Sequence, residues 1–114
     1  MPPPSQIAIA TSSVERLVKE EVSYHKELVS QEARLEKLLK SEGDEDGNKE
    51  FQVKQEKTAI EETRAVFPPL RQRIADAVLK LEDQLEAGTA SQAETEKARA
   101  AIESAKEAGG ENEK

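Results

Sequence analysis

The sequence predicts an all-α fold, an elongated antiparallel three-helix bundle resembling a coiled-coil rod, with a proline-kinked second helix. Three observations predict it. Ala, Glu, Lys, Leu and Arg supply 61 of the 114 residues, a bias that signals long helices when helical periodicity accompanies it. Large apolar residues recur at sevenfold spacing along two tracks, the repeat of helices that pack side by side. Two stretches of turn formers, 42–48 and 87–91, cut the chain into three periodic segments. Leu, Ile, Val and Phe number only 23, close to the level at which highly charged chains stay disordered, so periodicity decides the matter.

Pro2 to Pro4 fix an extended start, and Ile7 and Ile9, two residues apart, suit an extended arm over residues 1–11. Ser12 with Glu15 makes a capping box, so the first helix is expected over about 12–41. Val14, Leu28 and Leu35 form one apolar line, Leu17, Tyr24 and Leu38 the next, with Val18 and Leu39 beside them. The stripe thins at Gln31 and Glu32, and Lys19, Lys26 and Lys40 mark the opposite, solvated face. Residues 42–48 hold like charges and turn formers without an apolar side chain, which predicts a solvated loop ending in a cap at Asp46 or Asn48.

A second track, Val53, Ile60, Phe67, Ile74 and Leu81, places the second helix at about 49–86 and contains Pro68 and Pro69. A proline inside a helix costs on the order of 3 kcal/mol, which argues for a break. The apolar phase is the same on both sides of the pair, which argues for a kinked but continuous helix. Gly88 suits the left-handed position after a helix, and Ser91 with Glu94, or Thr89 with Gln92, forms the next capping box. The third helix is expected over about 91–107, with Ala98, Ala101, Ile102 and Ala105 facing inward. The bundle thus spans 12–108, and residues 109–114 read as a frayed, disordered acidic tail.

Short connections make neighbouring helices antiparallel. The third helix is too short to cover the whole length, so the half carrying Leu35, Leu38, Leu39, Phe51, Val53 and Ile60 should be a bare two-helix hairpin. Two helices hide a seam less well than three, which predicts apolar surface there for a homodimer or another partner.

Composition excludes several functions. Without Cys there is no disulfide framework, thiolate nucleophile or cysteine zinc site. No apolar run approaches the ~20 residues that cross a bilayer, and the start lacks the pattern of a signal peptide. A net charge of -7 with one Tyr and two Phe disfavours nucleic acid and anionic lipid as partners. The expectation is a cytoplasmic protein with no nucleic-acid or membrane partner. His25 is the sole histidine and reads as a half-buried or surface side chain. Asp44-Glu45-Asp46 lacks the spacing of a calcium loop, and no serine has a partner base. A non-enzymatic protein with no cofactor and no metal is expected. Lys57, Arg64 and Arg71 lie seven apart and form a basic row. It either pairs across to the first helix, with Lys57 opposite Glu32, or docks an acidic client. The kink likewise is either tolerated or shapes a face for a partner.

The stretch from Ile7 to Glu27, with Arg16-Leu17-Val18-Lys19-Glu20 followed by Tyr24, resembles the amino-terminal signature of the tubulin-folding cofactor A family. Glu62-Thr63-Arg64 leading to Pro68, then Arg73 and the Ala77 to Leu81 register, is similar to that family's proline-interrupted second helix. Together these cover about residues 7–86. The doubled proline and the alanine-rich third helix depart from the pattern. The resemblance implies a three-helix chaperone, cytoplasmic and cytoskeleton-associated, that binds and stabilises β-tubulin folding intermediates. It would hand them on toward αβ-tubulin heterodimers beside other tubulin-folding cofactors, without nucleotide. It carries Arg16, Lys19, Tyr24, Arg64 and Arg73 as partner-binding residues, with Pro68 shaping the surface. Tubulin is itself acidic, so local basic rows must offset the repulsion. The rival reading is a helical tethering module of spectrin-like or coiled-coil type. Zero Trp and a short third helix speak against the spectrin type.

Overall fold

The computed structural model describes residues 5–41 and 47–112. Three helices, α1 (Gln6–Lys40), α2 (Lys49–Glu86) and α3 (Gln92–Asn112), make up the secondary structure of the described residues, and no strand occurs among them. The all-α reading holds.

Helix α1 begins earlier than the expected arm allows, because residues 6–11 are already helical. Ser5 is the cap. Its carbonyl accepts from Ile9 N–H at 3.0 Å, and its Oγ accepts from Ala8 N–H at 3.1 Å, which satisfies donors that a helix start leaves open. Thr11 and Ser13 return their hydroxyls to the carbonyls of Ile7 and Ile9, at 2.8 and 3.2 Å, so neither competes for the backbone amides. The Ser12–Glu15 box has no helix start to serve. Ile7 and Ala10 are buried and Ile9 is exposed, which extends the apolar stripe one heptad back from Val14 rather than laying an extended arm.

Residues 42–46, including the expected cap at Asp46, lie outside the described residues. Gly47 takes φ +69°, and the Asn48 carbonyl accepts from Gln52 N–H at 2.8 Å, making Asn48 the first half-helical residue of α2. Helix α2 runs without interruption through Pro68 and Pro69. At its end Gly88 adopts φ +73° and donates to the Leu85 carbonyl at 3.1 Å. The Ser91–Glu94 box forms in both directions: Ser91 N–H donates to Glu94 Oε1 at 3.0 Å and Glu94 N–H to Ser91 Oγ at 3.1 Å. Helix α3 then continues to Asn112, so residues 109–112 of the expected tail are helical and 113–114 lie outside the described residues. A glycine costs about 1 kcal/mol in a helix, and extending a formed helix is far cheaper than nucleating one.

The chain divides into two compact units, one of Met1–Val22 with Pro69–Lys114, the other Ser23–Pro68. Unit 1 contains the start of α1, the end of α2 and α3. Ile7, Ala10, Val14 and Leu17 of α1 are buried there, as are Leu70, Ile74 and Leu81 of α2 and Ala98, Ala101, Ile102 and Ala105 of α3. These are the inward positions expected for α3, whose small side chains permit close approach and bury little area apiece. Unit 2 is a two-helix hairpin. Among its described residues Ile60 is the one apolar side chain classed as buried, while Val29, Leu39 and Phe51 are exposed, as two helices without a third predict. Leu35, Leu38 and Val53 are half-buried.

Candidate interaction surfaces

In unit 2 the two helices run antiparallel, and their seam is flanked by two open grooves. One, of about 340 Å³, is lined by Glu32, Leu35, Leu39, Lys57, Ile60 and Arg64 among others. Arg64 pairs with Glu32 at 3.7 Å, both largely exposed. The cross-helix pairing expected for Lys57 is thus made by Arg64, one heptad further on, and Lys57 shares the groove. The second groove, about 510 Å³, is lined by Arg34, Lys37, Leu38, Ser41, Gln52 and Glu56 among others, with Arg34 and Glu56 3.7 Å apart. An exposed pair such as Arg64–Glu32 contributes at most about 1 kcal/mol, whereas Glu56 is half-buried. Tyr24 is half-buried and meets Phe67 edge to face, centroids 6.4 Å apart at 80°. His25 stacks on the same ring at 4.4 Å and 24°. The edge contact is the usual attractive geometry for aromatic rings, so Tyr24 has a packing role in the hairpin.

In unit 1 the basic row changes character. Arg71 is a third exposed and reaches Glu21, whose side chain is 1% exposed, at 3.6 Å between Nε and Oε2. That separation is too long for a hydrogen bond, and both atoms are buried without one. Glu21 is the residue the sequence reading passed over. The line Val14, Leu28, Leu35 omits position 21, and the residue in that gap is a carboxylate at an apolar heptad position. A buried carboxylate loses its hydration and needs a cation, and Arg71 supplies the charge. Arg16, Lys19 and Arg73 are exposed; Lys19 borders a groove of about 220 Å³ with Val18, Ala100, Ala101 and Ser104. Of the predicted partner-binding residues, Arg16, Lys19, Arg71 and Arg73 belong to unit 1, and Tyr24, Lys57 and Arg64 to unit 2.

Where α1 and α3 start side by side, Ser5 Oγ donates to Glu94 Oε2. That hydrogen bond, reinforced by the Ser91 amide, holds the Glu94 carboxyl below the usual carboxylate range. Among the described residues no group of three His, Asp or Glu side chains could hold a metal ion, and no helix is long and apolar enough to cross a membrane.

These features define an all-α bundle whose surface offers open grooves of mixed apolar and ionic lining. The chain belongs to the tubulin binding cofactor A family, whose profile it matches over residues 2–108. It is 36% identical to the tubulin-specific chaperone A of Homo sapiens over 81 residues, 71% of this chain and 70% of that protein. With the tubulin-specific chaperone A of Gallus gallus it shares 35% identity over 105 residues, 89% of this chain and 91% of the other. The tubulin-specific chaperone A of Saccharomyces cerevisiae is 30% identical over 104 residues, 91% and 93% of the two chains. No solved structure matches the chain.

Proposed function

We propose that this chain is a cytoplasmic, non-enzymatic tubulin chaperone that binds and stabilises β-tubulin folding intermediates and passes them toward the αβ heterodimer beside other tubulin-folding cofactors. The family match over residues 2–108 carries this reading. The exposed Val29, Leu39 and Phe51 of unit 2 support it, since a client whose own core is incomplete offers apolar surface to cover. On this reading Arg16, Lys19, Lys57, Arg64, Arg71 and Arg73 contribute local positive charge toward an acidic client, and Tyr24 keeps its hairpin packing. A kink at Pro68 and Pro69 shapes the face that α2 presents. The same apolar side chains of unit 2 are proposed to contact a second copy when no client is bound.

The test is capture of newly folded tubulin released from the cytosolic chaperonin by the immobilised full chain. Recovery of β-tubulin without α-tubulin is expected, with weaker recovery by a Lys57→Glu, Arg64→Glu variant of unchanged helicity. Replacing Pro68 and Pro69 by Ala in the same assay reads the contribution of the kink. Recovery of both tubulins in equal amounts, or of neither, overturns the reading.

A further inference from the structure

Unit 1 has a groove of about 250 Å³ where all three helices meet, with Glu21 and Arg71 on one side, Lys106 on another, and Ile74, Val78 and Ala105 between them. We propose that this groove docks an acidic-apolar segment of the client protein, an aliphatic side chain entering between Ile74, Val78 and Ala105 while a neighbouring carboxylate is held by Arg71 and Lys106. The inference rests on the chaperone reading for the identity of the client alone.

Three observations carry it. The groove is built around an ion that the fold has taken out of water: Glu21 is 1% exposed, and its Oε2 makes no hydrogen bond. Glu21 therefore acts as a positioning residue, drawing Arg71 to the groove by charge while satisfying none of its donors. Arg71 makes no hydrogen bond among the described residues and is a third exposed, so its guanidinium retains the forked donor set that matches a carboxylate. Lys106 is exposed and enters no ion pair among the described residues. In a chain of net charge -7, this site holds two cations against one carboxylate, and the carboxylate is the buried member. A cationic segment would meet both positive groups at the mouth. A wholly apolar one would leave Lys106 without a counter-ion and the hydrogen-bond donors of Arg71 unused, and a free phosphate would leave the aliphatic floor empty. The chemistry that fits every lining group is a carboxylate beside an aliphatic side chain, and it gives an acidic chaperone a local means of holding an acidic client.

The probe is a synthetic amphipathic helical peptide of Glu and Leu, compared with a matched peptide of Lys and Leu, added to the isotope-labelled full chain. The Glu–Leu peptide is expected to shift the amide signals of Ile74, Val78 and Ala105 and the Lys–Leu peptide to leave them in place. Lys106→Glu, a surface change that leaves the core intact, should weaken the Glu–Leu peptide about tenfold. Arg71→Lys, which keeps the charge and loses the fork, should weaken it less. Equal shifts by both peptides, shifts confined to unit 2, or unchanged affinity in Lys106→Glu overturn the proposal. In the tubulin capture assay, Lys106→Glu should also lower recovery. Peptide binding as described without tubulin capture by the parent chain would leave the groove standing and remove the chaperone reading. Capture unaffected by Lys106→Glu, with no groove shifts from the Glu–Leu peptide, would do the reverse.

Discussion

Glu94 closes its own helix with Ser91 and accepts from Ser5 at the start of another. Its carboxyl is held below the usual carboxylate value of 4.5, so the folded chain binds that proton less readily than the unfolded one. The stabilisation from this latch is complete above about pH 4.5 and fades as pH falls through the lowered value. Melting temperature measured from pH 6 to pH 3 should therefore drop less steeply in Ser5→Ala than in the parent; identical acid limbs would show that Ser5 does not contribute to the shift. The two capping boxes show what a residue motif can and cannot reveal. Ser91–Glu94 was legible because Gly88 ends the preceding helix. Ser12–Glu15 has the same spacing, yet Ile7, Ala10 and Val14 already carry the apolar stripe through it. A capping box works only where the chain enters a helix, and that depends on residues outside the motif.

At the level of elements, sevenfold spacing located α2, and the run Ala98, Ala101, Ile102 and Ala105 located the inward face of α3, because helix packing depends on which side chains line up. The ends of α1 and α3 were less legible. Ser5 is a one-residue signal ahead of an apolar pair that also suits an extended chain, and Gly109-Gly110 resembles a stop without being one. The basic row was visible as spacing, but its division was not: Arg64 turns to an exposed Glu32 and Arg71 to a buried Glu21, and partners across helices depend on register. In the hairpin the seam is filled by half-buried side chains around Ile60, with the buried Gln31 and Thr63 adding polar surface to it. Ile60→Ala should cost about 2 kcal/mol, the low end for such truncations because an open hairpin can settle into the gap. Urea unfolding would read the loss, and hydrogen exchange should place it first in Ser23–Pro68; uniform acceleration over both units would contradict the assignment of Ile60 as the main anchor of the hairpin.

For the molecule as a whole, the sparse apolar content has a visible distribution. Of the described apolar residues that are buried, all but Ile60 lie in unit 1. Unit 2 spends its larger side chains partly in the open, with Leu39 and Phe51 each more than half exposed. If a second copy covers them, sedimentation equilibrium should show mass rising above the monomer with concentration, and Leu39→Ser with Phe51→Ser should abolish the rise. A strictly monomeric parent over the whole range would leave that surface to the client alone.

Unit 1 is also discontinuous along the chain, joining Met1–Val22 to Pro69–Lys114. Its core opens with Ile7 and is completed only by Ala105. Contacts of such long sequence separation carry a loop-closure cost before they return any stability. On the ribosome, the strip of α1 must wait for full cover of its apolar stripe until α3, some eighty residues later, has been made. The contiguous hairpin that could form sooner holds, among its described residues, one well-buried large apolar side chain. Within these three helices the order of synthesis therefore runs against the order of stability, and α3, made after the other two, is the one that seals the unit.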